Sequence, residues 1–172
     1  HIGAGPSLMV PVKANAYGHG AVHVARLCES MGVAMLAVSS VDEGCELRQA
    51  GIRLPLVILG NILPGEAAEA LAHDLTVSIC DLPVATALAA AARRSQVRAT
   101  VFVNVDTGMG RVGLHPWLEA TRHIADLATM AELNILGVFS HFSSAGDADR
   151  TFTLEQIRRF HHVRSEVEQT GI

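Results

Sequence analysis

Six short apolar runs recur along the chain: SLMVPVKAN (7–15), VAMLAVSS (33–40), LPLVILG (54–60), LTVSICD (75–81), ATVFVNVD (99–106) and LNILGVFSHF (133–142). Each is apolar at nearly every residue instead of every second one. That predicts strands buried on both faces, as in a parallel sheet covered by helices. Between the runs lie alanine- and leucine-rich stretches at 20–31, 41–50, 64–73, 83–95 and 117–131, and a last one from about Leu154 to Gln169. Their ends carry boundary chemistry. Asp81 ahead of Pro83, and Pro64 followed by Glu66, start helices, whereas Gly32 and Gly51 stop them. The pattern is a repeated βα unit.

A closed (β/α)₈ barrel takes eight units and about 250 residues. The expected fold class is therefore α/β, a parallel TIM-type barrel with about six of its eight units in residues 1–172. An open six-unit α/β domain satisfies the same periodicity. No linker-like or low-complexity stretch divides the chain, so it is expected to be one domain, an incomplete one if the barrel is right.

Composition narrows the partners. The net charge is -4, and the basic residues are scattered apart from Arg93-Arg94 and Arg158-Arg159, which excludes an electrostatic footprint for nucleic acid. No apolar run reaches the roughly twenty residues of a membrane span. The start HIGAGPSLM lacks the regions of a signal peptide and an initiator methionine, and is expected to be internal. Cys28, Cys45 and Cys80 are odd in number and form no C-x-x-C pair, which suggests neither a disulfide framework nor a closed zinc site. They are expected as buried small hydrophobes in a reducing, cytoplasmic setting.

Candidate chemistry gathers where three of the runs end. Lys13 follows LMVPV and precedes ANAYGHG, placing an amine at the C-terminal end of the first strand, the end at which α/β sheets and barrels collect their chemistry. Held among apolar residues, such an amine loses hydration and becomes available as a nucleophile or base. Taken alone, it fits a lysine snorkelling to solvent somewhat better. Its neighbours favour the first reading: Ala14, Asn15 and Ala16 leave room, Tyr17 offers a phenolic donor, and Gly18 and Gly20 let backbone approach a ligand. The fifth run ends in NVDTGMGRVG, where the Arg111 guanidinium suits a carboxylate or phenolate. The sixth ends in GVFSHFSSAG, with His141 between aromatics. One rim would bring all three together.

VKANAYGHG, VDTGMGRVG and GVFSHF, in this order, resemble the N-terminal barrel domain of bacterial alanine racemases, fold-type III enzymes that use pyridoxal 5′-phosphate; DEGCELRQAGI and LGNILPGE extend the resemblance over nearly the whole chain. The resemblance implies that Lys13 is the Schiff-base lysine and the base on one face of the substrate. Tyr17 matches the tyrosine that hydrogen-bonds the cofactor phosphate, and Arg111 the arginine at the cofactor's phenolic oxygen and the substrate carboxylate. His141 matches the histidine supporting an arginine at the pyridine nitrogen, a residue the family carries on a later strand. The family is homodimeric, and its opposite-face base is a tyrosine of the partner's C-terminal β domain. Tyr17 is this chain's only tyrosine, so these residues alone are not expected to racemise alanine.

The implied activity is racemisation of a small amino acid, L-alanine to D-alanine for peptidoglycan. The cofactor stabilises the carbanion left when the α-proton departs. One departure from the family widens the substrate question: its carbamylated-lysine position is Asn104 here, as in the broader-specificity racemases in which chloride replaces the carbamate charge. Other readings are a diamino-acid decarboxylase of the same fold type, a non-catalytic pyridoxal-phosphate-binding barrel, and an inactive fragment.

Overall fold

A computed structural model describes residues 5–171, which contain six strands alternating with helices. The chain forms two compact units, His1–Val77 and Ser78–Ile172, and passes from one to the other within the fourth strand.

In the first unit, β1 (Met9–Pro11), β2 (Met35–Val38), β3 (Leu56–Ile58) and the start of β4 (Leu75–Ile79) pair in parallel and in chain order, with Met9 opposite Met35, Leu36 opposite Leu56, and Leu56 opposite Leu75. Consecutive strands that run parallel need a crossover, and helices supply it. A single turn of left-handed backbone, α1 (Lys13–Tyr17), leads into α2 (Ala21–Ser30). Next come α3 (Val41–Gln49) and α4 (Ala67–Ala72), the latter entered through a 3-10 turn at Pro64–Glu66. Leu36, Leu56, Ile58 and Leu47 are fully buried. Each such side chain contributes about 1.5–3 kcal/mol relative to exposure. The expected stop signals hold, since Gly32 and Gly51 both take left-handed φ, at 70° and 85°.

In the second unit, β5 (Ala99–Asn104) and β6 (Leu133–Phe139) are parallel, with a register shift between Val101 and Phe102. Asp81 caps α5 (Leu82–Ser95) as its sequence predicts, accepting the Val84 N–H at 2.9 Å. The buried face of this helix is Val84, Ala85, Leu88, Ala89, Ala91 and Ala92. A 3-10 turn (Trp117–Glu119) precedes α6 (Ala120–Ala128), and α7 runs over Thr151–Gln169. The last helix begins three residues earlier than its apolar pattern indicates, because Asp149 accepts the Thr151 N–H at 2.9 Å and satisfies a donor of the first turn.

Burial on both faces holds for β3 and β4, where every residue is buried. It fails for β6, where only Leu133 is buried and Leu136 is 49% exposed. Among the described residues β6 pairs on one side only, with β5. The three cysteines are free and buried, and no described helix is long and apolar enough to cross a membrane.

Candidate functional site

Lys13 stands two residues past the end of β1, in the segment that turns the chain over the strand's C-terminal end. Val12 extends the pairing with β2 by donating its N–H to Ala37 O at 2.8 Å. The backbone then enters left-handed space at four consecutive non-glycine residues, Ala14, Asn15, Ala16 and Tyr17, with φ between 50° and 54°. For an L-residue this conformation costs about 1–2 kcal/mol. Such a run persists only where the surroundings over-determine it.

Glu43, in the first turn of α3, supplies the side-chain restraint at the start of that run. Its Oε1 accepts the Ala14 N–H at 2.7 Å, and its Oε2 accepts the Ser39 N–H at 2.7 Å and the Ser39 hydroxyl at 2.8 Å. One carboxylate therefore ties the residue after Lys13 to the end of β2. Burial alone would raise the Glu43 pKa, but the hydrogen bonds from Ser39 and Ala14, with the nearby Lys13 charge, outweigh it and hold the carboxyl below its ordinary value. At the far end of the turn Asn15 Oδ1 accepts the Ala21 N–H at 2.7 Å, capping α2, and Asn15 O accepts the Gly20 N–H at 3.0 Å. Lys13 is half-buried and Tyr17 is 60% exposed, so an amine and a phenol are presented from one restrained turn.

The second unit carries the other expected residues at its strand ends. Asn104 closes β5 and is buried. Its amide hydrogen-bonds Cys80, whose thiol is nevertheless pushed up to about 11, chiefly by burial. Asn104 Oδ1 has no hydrogen-bond partner among the described residues. Just beyond, the Asp106 carboxylate accepts the N–H groups of Gly108 at 2.9 Å and Gly110 at 3.0 Å, folding DTGMG into a compact loop from which Arg111 emerges exposed. His141 lies two residues past β6 and is exposed, not enclosed by its aromatic neighbours. Its carbonyl accepts the Gln156 side-chain amide at 3.0 Å. That same amide also reaches Thr107 Oγ1 at 3.3 Å, and Gln156 Oε1 accepts the Ser143 N–H at 3.1 Å. Gln156, fully buried in α7, thus joins the ends of β5 and β6.

Glu43, Asp106 and Gln156 escape a reading of the sequence for reactive groups. Glu43 carried one signal: Ser40-Val41-Asp42-Glu43 is a capping-box pattern, and Ser40 Oγ does accept the Glu43 N–H, at 3.3 Å. The carboxylate, however, reaches past the cap to Ser39 and Ala14.

Parallel strands in a repeated βα pattern, with polar side chains just past the C-terminal ends of β1, β5 and β6, define an α/β protein. The whole chain, residues 1–172, matches the alanine racemase N-terminal domain. It is 39% identical over 171 residues to the alanine racemase of Desulforamulus reducens, covering 99% of this chain and 46% of that protein, and 39% identical to the alanine racemase of Symbiobacterium thermophilum over 99% of this chain and 45% of that one. Its fold superposes on the alanine racemase of Clostridium difficile 630 with a TM-score of 0.93 at 32% identity, over 96% of this chain and 44% of that one. The chain belongs to the alanine racemase family and has the fold of a partial TIM-type barrel. It spans less than half the length of these relatives.

Proposed function

We propose that residues 1–172 supply the cofactor-binding barrel portion of a pyridoxal-phosphate-dependent racemase acting on a small amino acid, with alanine the first candidate. The observation that carries this is the position of Lys13: an amine at the C-terminal end of β1, on a turn whose strained backbone is held by Glu43. The donor set fits the cofactor. Lys13 Nζ would hold its aldehyde carbon, and the Tyr17 hydroxyl would donate to its phosphate. The bound cofactor supplies an electron sink that acidifies the α-hydrogen of an amino acid. Lys13 Nζ would then exchange a proton with the substrate Cα on one face. The Arg111 guanidinium would hold the substrate carboxylate and the cofactor's phenolic oxygen, and His141 would orient an arginine at the pyridine nitrogen. The base on the opposite face would come from a second subunit of a homodimer.

Lys13 is the only lysine in the chain, which makes the test sharp. Incubation with pyridoxal phosphate followed by borohydride reduction should label Lys13 stoichiometrically, and Lys13→Ala should take up none beyond a label on the terminal α-amine. A label confined to the terminal α-amine would overturn the assignment.

Substrate range rests on Asn104. An anion there would be met by the amide nitrogen, the buried Oδ1 being an acceptor. Chloride should then raise the thermal unfolding midpoint above that in a buffer of equal ionic strength made with a bulky anion, and Asn104→Leu should abolish the difference. Equal midpoints would remove the anion from the proposal.

A further inference from the structure

The first unit holds a second group of reactive side chains, outside the Lys13 turn. Cys45 of α3, Glu69 of α4 and His73 at the end of α4 each offer a ligand atom, and the three atoms lie within 4.8 Å of one another. The types are a thiol, a carboxylate and an imidazole. We propose that these residues form a zinc-binding site, with water in the fourth position.

Four observations support it. The first is separation: around a tetrahedral zinc, with bonds of about 2.0–2.3 Å, ligand atoms sit roughly 3.3–3.8 Å apart, so closing the observed spacing takes about 1 Å of side-chain movement. The second is ligand chemistry. Thiolate with imidazole selects zinc and its borderline-soft neighbours over magnesium or calcium, and the carboxylate completes a mixed set of the open type.

The third is orientation. His73 Nδ1 is 3.1 Å from Glu69 O, and a carbonyl can only accept, so Nδ1 carries the hydrogen and the lone pair is left on Nε2. This is the backbone-carbonyl arrangement that fixes metal-binding histidines. The fourth is rigidity. Arg48, one turn after Cys45 on α3, donates from Nε to His73 O at 3.1 Å and from Nη2 to Asp74 O at 2.9 Å. Its Nη1 donates to Ile52 O and Leu54 O at 2.9 and 2.8 Å. The end of α4 is thereby pinned to the helix that carries the thiol. Among the described residues the Glu69 carboxylate makes no ion pair or hydrogen bond that would compete with a cation.

Four positions separate Glu69 from His73, a spacing that puts both on one helix face, but the twenty-four between Cys45 and Glu69 form no familiar zinc motif. Packing of α3 against α4 makes the set. A bound zinc would clip the two helices together two residues from Glu43, the restraint on the Lys13 turn.

The test is a cobalt(II) titration of the full chain, reduced and stripped with chelator. One equivalent should bring up a near-ultraviolet thiolate-to-cobalt band with the visible bands of a tetrahedral ion, and zinc should displace both. Cys45→Ser should abolish the near-ultraviolet band. Glu69→Gln and His73→Gln, at exposed and half-buried positions that leave the core intact, should keep the band but weaken affinity on the order of 10-fold or more. Cys28→Ser and Cys80→Ser should titrate as the parent. Absence of the band, its persistence in Cys45→Ser, or parental affinity in both the Glu69 and His73 variants would overturn the site.

Discussion

Two strand ends in this chain bend the backbone through left-handed space, and they use different residues to do it. After β1 the conformation falls on Ala14, Asn15, Ala16 and Tyr17; after β5 it falls on Gly108, Gly110 and Gly113, with φ of 134°, 72° and 129°. Glycine adopts such angles without steric cost, whereas each non-glycine residue loses about 1–2 kcal/mol. The first segment offsets its strain through one carboxylate from another element, Glu43. The second is held from within, by Asp106 accepting N–H groups two and four residues further on.

The difference shows what each position requires. A side chain placed on Gly113 would put its Cβ 2.6 Å from Asp106 N and 3.0 Å from the Val105 carbonyl carbon. At Gly108 the Cβ would lie 2.8 Å from Phe152 Cζ. Backbone blocks a side chain at Gly113, whereas one at Gly108 needs the Phe152 ring and the Arg159 guanidinium to move. The turn after β1 instead carries a phenol at Tyr17, so strain is tolerated where a side chain is presented and avoided where backbone and neighbours crowd.

The largest expected effect comes from forcing the second region to behave like the first. Gly113→Ala meets immovable backbone at an unfavourable φ and should cost about 3 kcal/mol or more, measured by urea denaturation. A loss below about 1 kcal/mol would show that this loop shifts to make room.

Next is the latch on the first region. In Glu43→Gln one oxygen becomes an amide donor facing an N–H of Ser39 or Ala14, and the loss should be about 2 kcal/mol. The sign with pH follows from the depressed pKa. Stability from Glu43 is fully present above the unfolded value of about 4.3 and is lost as pH falls through the lower folded value. Parent and variant should therefore converge as pH falls below about 4.3. A gap that stays constant over that range would mean that the ionised carboxylate is not the latch.

The smallest effect is the converse substitution. Ala14→Gly relieves left-handed strain at the cost of chain entropy, for a net gain of about 0.5–1 kcal/mol by the same denaturation measurement. A loss would show that Ala14 is not strained.

Much of the fold was legible in the runs themselves. A strand buried on both faces needs apolar residues at consecutive positions, which is a local property, and β3 and β4 follow it throughout. Lys13 was legible for the same reason, as a charge interrupting such a run. Asp81 declared its helix because a cap acts on an N–H three residues away. The left-handed turn left no trace: alanine and tyrosine have no preference for positive φ, and the group that holds them lies 29 positions along the chain.

By itself, then, the sequence determined which segments are strands and helices and where the amine, phenol, guanidinium and imidazole fall along the chain, because hydrophobic period and cap chemistry act over a few residues. Only tertiary structure decided that Glu43 answers Ala14, that Gln156 joins Thr107 to His141, and that Cys45 meets Glu69 and His73. Each of these depends on two elements packing against each other. That packing is set by the shape of the apolar faces between them, which no spacing of polar residues records.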